Sequence, residues 1–256
     1  MLGFFHTILY QPIFNLFVGL YNIIPGNDVG VVILLITILI RLALYPSTNK
    51  SIKAQRNLQE LQPKMEEIKK KYANDKQKQT QATMELYKNN KVNPMSSCLP
   101  MLIQLPILIA LYMVLRDGLA STNIAQNLYS FVPNPGTIKS ISFGFFDLSK
   151  PNIVLAVLAG VAQFVQAKTL SRKQAPKTAG TGSKDENMMS MMNKQMLYFM
   201  PVLTIIIGLQ LPAGLTLYWF FSTVLMAAQQ LILNKKDQAK VSTDGKVIEG
   251  EIIDSK

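Results

Sequence analysis

Apolar residues along this chain gather into runs of differing length and period, separated by strongly polar segments. Near the N-terminus Phe4, Phe5, Ile8, Leu9, Ile13, Leu16, Phe17 and Leu20 recur at helical spacing, with Pro12 interrupting them. The stretch is too broken to cross a bilayer, and residues 1–24 are expected to form an amphipathic helix lying in a membrane interface. PGND at 25–28 reads as a turn. Five apolar segments follow, at 29–45, 99–115, 153–167, 196–211 and 213–233. The first, about 17 residues long, is near the short end of what crosses a hydrocarbon core of roughly 30 Å. The second contains Pro106, whose freed carbonyl a neighbouring helix or a water can satisfy. Pro212, Ala213 and Gly214 alone mark the connection between the last two, which must therefore form an antiparallel hairpin.

The polar segments are patterned too. Leu58, Leu61, Met65, Ile68 and Tyr72 alternate spacings of three and four, the seam of a helix pair. Thr80, Met84, Tyr87 and Lys91 continue the stripe beyond a turn at Asn74–Asp75. Residues 50–92 are therefore predicted to be a helical hairpin, with Pro63 as a kink. Residues 118–150 and 168–195 are loops, and the charge-balanced tail 234–256 reads as disordered. The expected fold is an all-α membrane protein: five transmembrane helices, an interfacial helix and a cytosolic helical hairpin.

Charge fixes the expected orientation. Only 16% of residues are charged, and no Lys or Arg precedes Arg41. Between Lys50 and Lys91 eleven basic residues face five acidic ones, and between Lys168 and Lys194 six face two. From Asp117 to Lys150 the basic residues are Lys139 and Lys150 alone. By the positive-inside rule the loops 46–95 and 168–195 lie in the cytoplasm, the N-terminus outside and the C-terminus inside. The net charge of +11 sits in loops beside apolar runs. It suits anionic lipid headgroups or a ribosome better than sequence-specific nucleic-acid binding. The single Cys98 excludes an intramolecular disulfide. The first residues carry neither a basic segment nor a small-residue cleavage site, so they are not read as a secretory signal.

The sharp chemical feature is Arg41, a charge inside the first apolar segment, which costs from about 2.5 to over 10 kcal/mol depending on depth. It stands five residues before Pro46, so snorkelling to the headgroups is the plain alternative. Thr37 lies one turn deeper on the same face. Other segments carry Gln104, Gln163, Gln166, Gln210, Tyr218, Trp219, Ser222 and Thr223. Singly these suit helix–helix contacts or interfacial aromatics; together they can line a wet cavity around Arg41. No Asp or Glu lies within any of the five segments. A proton-coupled relay is thereby disfavoured, as is a pair of acidic proteolytic residues. No catalytic constellation, metal motif or phosphate-binding loop is found, and neither an enzyme activity nor a cofactor is expected. The methionines of NMMSMMNKQM, Met188 to Met196, fit an amphipathic approach to the fourth segment better than an adaptable binding surface.

From about Ile13 to Leu233 the chain resembles the YidC-type membrane protein insertases and their mitochondrial and chloroplast relatives. The blocks carrying the resemblance are ITILIRLALYP (36–46), LQPKMEEIKKKY (61–72), LYKNNKVNPMSSCLPMLIQLPILIALYMVL (86–115) and LPAGLTLYWFFS (211–222). It implies a five-helix core around a hydrophilic groove open to cytosol and lipid but closed outside. The family's groove arginine falls on Arg41, its hydroxyl neighbour on Thr37, its last-span aromatic on Trp219 and a third-span glutamine on Gln163. Gln104, Tyr218 and Ser222 complete the expected substrate groove. Implied partners are nascent membrane proteins, membrane lipids, the Sec translocon and the ribosome, at a bacterial plasma (inner) membrane. The chain departs from many relatives in lacking an extra first span and a large periplasmic domain, a Cys near the N-terminus and a strongly basic tail. A small anion transporter or channel using Arg41 is the competing class.

Overall fold

The computed structural model describes residues 2–93, 99–120, 124–171 and 195–248. At the N-terminus α1 (Leu2–Phe5) and α2 (Gln11–Ile23) are joined by one π turn at His6–Tyr10. The Gln11 amide reaches back five residues to the His6 carbonyl, so Pro12 falls in the first turn of α2, where its missing N–H is harmless. This helix does more than lie in an interface. Tyr10, Phe14, Phe17, Val18 and Tyr21 are buried in the main core, while Phe4, Ile8, Leu16 and Ile23 stay exposed. Apolar residues on both faces hide which stripe packs, and periodicity alone marked Ile8 and Leu16 where the core takes Tyr10 and Phe14.

Helix α3 (Val29–Glu60) begins where Asp28 accepts hydrogen bonds from the Gly30 and Val31 amides. It passes through Pro46, where the first span was expected to end. Proline frees only one carbonyl in the preceding turn, and no glycine lies between Pro46 and Glu60 to stop the helix. The predicted hairpin therefore starts inside α3. The chain bends at Leu61, and Pro63 sits in the first turn of α4 (Gln62–Lys71) instead of kinking it. Asp75 caps α5 (Lys76–Asn89) through the Lys78 amide at 3.0 Å. Met65 is buried in the seam and accepts a 3.2 Å hydrogen bond from the Tyr87 hydroxyl, whereas Met84 is exposed.

Beyond it come α6 (Leu99–Leu119), the short α7 (Ile124–Asn127), α8 (Ile153–Ser171), a π turn (Gln195–Phe199), α9 (Met200–Gly208) and α10 (Ala213–Ile248). The fold is mostly helical, as expected, and the 118–150 loop adds a short two-stranded ribbon. There β1 (Ile141–Ser142) pairs antiparallel with β2 (Phe146–Asp147), Ile141 opposite Asp147 and Ser142 opposite Phe146. The fourth apolar segment stops being helical at Gly208, three residues short of 211. The tail is not disordered throughout: α10 continues to Ile248, because no proline or glycine interrupts Asn234 to Asp244. Residues 249–256 and the expected methionine-rich approach at Met188 to Met192 lie outside the described residues.

Among the described residues three helices, Val29–Glu60, Leu102–Leu119 and Ala213–Leu233, are long and apolar enough to cross a membrane; Ile153–Thr169 and Leu197–Gly208 are shorter apolar helices. Contacts give their directions. A Cβ on Gly214 would meet Ile33 and Leu115 at 3.3 Å, Arg41 bonds Ser222, and Gln229 bonds Asn49. Positions on α3 and α10 thus rise together, and the two helices run parallel. Gln104 bonds Tyr218 while Leu115 adjoins Gly214, so α6 runs against them. Gly208 packs on Ala156 and Gly160 on Ile205, making α8 and α9 antiparallel. Leu39, Leu42, Val154, Val157, Val161 and Ile206 point outward and are exposed, an apolar belt suited to lipid.

Candidate functional site

Arg41 stands on α3, and its Nε and Nη2 donate to the Ser222 hydroxyl of α10 at 3.1 and 2.5 Å. One turn earlier on α10, Tyr218 accepts from Gln104 Nε2 of α6 at 2.7 Å. Tyr218 and Ser222 are almost wholly buried. The arginine is therefore held against α10 by a neutral hydroxyl, and no ion pair to it is found among the described residues. Thr37, fully buried one turn from Arg41, turns its hydroxyl back to the Ile33 carbonyl at 2.6 Å.

Next to Arg41 is a crevice lined by Leu44, Ser47, Thr48, Ser51, Ile103 and Gln104, with about 10 Å³ open to the centre of a water. That is room for about one water molecule, far narrower than a groove wide enough for a peptide. The Ser51 hydroxyl is buried with no hydrogen-bond partner among the described residues. A buried polar group of this kind favours a water or an incoming donor or acceptor. Further along, Gln229 donates to Asn49 at 2.6 Å across the same pair of helices.

Four expected residues thus converge here, Arg41, Gln104, Tyr218 and Ser222, with Thr37 adjoining them. Two do not. Gln163 pairs with the Thr204 hydroxyl between α8 and α9. Trp219 follows Tyr218 by one position, about 100° around the helix, and is half-buried. Sequence reasoning missed Ser47, Thr48, Ser51, Asn49 and Gln229. The signal was present, since Thr37, Arg41, Leu44, Thr48 and Ser51 follow spacings of four, three, four and three on one face.

The opposite end of this helix pair is tied shut. The Asp28 carboxylate accepts from Gly30 N at 2.8 Å, Val31 N at 3.3 Å, Phe143 N at 2.6 Å and the Ser142 hydroxyl. Burial pushes this carboxyl up, but the hydrogen bonds from Ser142, Phe143, Val31 and Gly30 together outweigh it and hold it below its ordinary value. The same ribbon reaches α10, where Gly214 N donates to Leu148 O at 3.0 Å and Ala213 N to Lys150 O at 2.9 Å. The N-terminal helix braces the loop through Asn15, which donates to Asn127 O at 2.9 Å and accepts from Tyr129 N at 2.7 Å. Among the described residues no group of three or more His, Cys, Asp or Glu gathers as a metal site would require. The arrangement can bind and hydrate; it offers no nucleophile paired with a base.

Residues 19–240 match the family model described as 60Kd inner membrane protein. A membrane protein insertase YidC of Fusobacterium nucleatum subsp. nucleatum is 38% identical over 212 residues, 82% of this chain and 88% of that protein. The insertase YidC of Oceanobacillus iheyensis is 33% identical over 243 residues, 93% of this chain and 86% of that one. A longer YidC of Geotalea daltonii is 34% identical, but the match spans only 34% of its length. Among solved structures, a crystal structure of an active YidC insertase with its first transmembrane domain resolved matches with a TM-score of 0.59 and 28% identity. That match covers 88% of this chain and 45% of the other.

Proposed function

The chain belongs to the 60Kd inner membrane protein family, and from that premise we propose that it inserts substrate proteins into the membrane. It receives their hydrophilic segments in the polar seam between α3, α6 and α10. The observation that carries this reading is Arg41, a cation held by the Ser222 hydroxyl and bordering a crevice with a buried, unsatisfied Ser51. A charge placed in an apolar helix with no acidic partner in any span is costly unless something else uses it. An acidic or polar substrate tail supplies that use.

Five spans fit the helix directions. With α3 parallel to α10, α6 against them, and α8 against α9, five crossings alternate in order. The basic residues of α4 and α5 then lie in the cytoplasm, with the N-terminus outside. The seam faces the cytosol, because the ribbon held by Asp28 and by the starts of α3 and α10 closes the other end. Moving a polar tail across an apolar core costs several kcal/mol per unsatisfied group. A seam that admits the tail part-way shortens that barrier. The substrate's apolar helix then gains about 25 cal/mol for each Å² it moves from water into lipid. Opening of the narrow crevice, by displacement of α6 from Arg41 and Ser47, accompanies entry of the tail. Nascent chains, and the Sec translocon and ribosome that deliver them, are the partners of this scheme.

Reconstitution tests it. Purified protein in liposomes should confer protease protection on a small single-span substrate without supporting chloride flux. Chloride flux with an unprotected substrate identifies a channel and ends the insertase reading.

A further inference from the structure

The ribbon that closes the outer end carries side chains its closing role does not use. Ile141, Phe143 and Phe145 are exposed by 59%, 46% and 73%. Water is a poor partner for three large apolar groups crowded on one five-residue tip. Phe143 also holds a left-handed backbone, φ +52°, beside Gly144 at +80°. A bulky residue takes that conformation only when its surroundings enforce it. Here the enforcement is visible: the Phe143 amide donates to Asp28 at 2.6 Å, and Ser142 bonds the same carboxylate and the Gly30 amide. Gly30 is required for this approach, because a Cβ there would overlap the Ser142 hydroxyl and the Phe143 ring.

These contacts fix the height of the tip. Asp28 immediately precedes Val29, the first residue of α3, and the far side of the ribbon is bonded to Ala213 and Gly214, the first residues of α10. The tip is therefore level with the outer ends of two apolar helices, where hydrocarbon gives way to headgroups. Aromatic side chains favour that boundary. The nearest charges along the ribbon, Lys139, Asp147 and Lys150, flank the tip and do not interrupt it.

We propose that Ile141, Phe143 and Phe145 form a membrane-interface anchor, seated at the acyl–headgroup boundary of the outer leaflet and holding the ribbon over the ends of α3 and α10. This rests on reading α3 as a membrane span. Its occupant is lipid, in preference to a second copy or another protein, because the hydrogen bonds place the tip at the lipid boundary.

Depth-resolved quenching tests it. Phe145→Cys in a Cys98→Ser background is labelled with an environment-sensitive fluorophore and reconstituted in phosphatidylcholine–phosphatidylglycerol vesicles. Ile141→Cys serves as a second tip site if the first variant does not fold. Leu42→Cys, on the exposed face of α3, reports on the span itself. The expected result is blue-shifted emission at the tip, strong quenching by nitroxides near the headgroup, weaker quenching by nitroxides deep in the acyl chain, and loss of quenching by aqueous iodide. A tip probe open to iodide and untouched by spin-labelled lipid overturns the anchor. A blue-shifted probe that neither quencher reaches also overturns it, indicating a protein neighbour. If the Leu42 probe is itself in water, the span reading fails; if it is lipid-quenched while the tip is not, the anchor alone fails.

Discussion

Arg41 concentrates the chemistry in one side chain. Its guanidinium spends two donors on the Ser222 hydroxyl, and the crevice beside it is narrow and edged by the hydroxyl residues Ser47, Thr48 and Ser51. Charge-assisted hydrogen bonds contribute about 1.5–3 kcal/mol, which corresponds to roughly tenfold or more in an equilibrium. Arg41→Ala is accordingly expected to slow insertion of acidic-tailed substrates about tenfold, with neutral tails much less affected, in a protease-protection time course. Equal losses for both tails would leave the arginine a hydrating role only. Arg41, Gln104, Tyr218 and Ser222 were legible from type and helical position because each is polar within an apolar run. The Thr48–Ser51 continuation was hidden by Pro46, which suggested that the helix had already ended. Gln163 was expected in the groove but pairs with Thr204, which lies on another helix and which no local period links to it.

At the scale of elements, two contacts between helices and loops govern the frame. Asp28 caps α3 and fastens the ribbon with the same carboxylate. Its folded value lies below the ordinary one, so the ionised form stabilises the docked ribbon above about pH 4, and that contribution is lost as pH falls through the depressed value. Protection factors of the Gly30 and Phe143 amides should therefore be flat from pH 7 to about pH 5 and fall only in stronger acid. Asp28→Ala, which removes the carboxylate and leaves the Gly30 amide only the Ser142 hydroxyl, should cost about 1–2 kcal/mol by thermal unfolding in detergent and unprotect the Phe143 amide at neutral pH. Between α8 and α9 the packing depends on small residues. A Cβ on Gly160 would lie 2.9 Å from the Pro201 carbonyl and closer still to Ile205. Gly160→Val is expected to destabilise by about 1–3 kcal/mol, whereas Val161→Ala next to it, on the exposed face, should be nearly neutral. The helices themselves were readable from their apolar runs. The ribbon was not, because two-residue strands carry no period and are set by long-range partners, Asp28 and Ser142 being 114 positions apart.

For the whole molecule, two parallel helices share a polar seam that is tied by the ribbon at one end and lined with hydroxyls and amides at the other. Charge segregation is the basis for the proposed orientation, with the basic hairpin in the cytoplasm. The helical start of the tail was missed, and the N-terminal helix packs on the core through a face its periodicity did not single out. Polar composition does not forbid a helix that continues from a packed one, and two apolar faces conceal which one is buried. The central claim is that a substrate's hydrophilic segment enters the seam beside Arg41. Site-specific photocrosslinking during insertion of a stalled single-span substrate tests it most directly, with the probe at Ser47 in the crevice or at Val157 on the exposed face of α8. Ser47 should capture the polar tail and Val157 should not, and Arg41→Ala should reduce the Ser47 product for acidic tails. A tail captured at Val157 and never at Ser47 would place the route outside the seam and rule out entry beside Arg41.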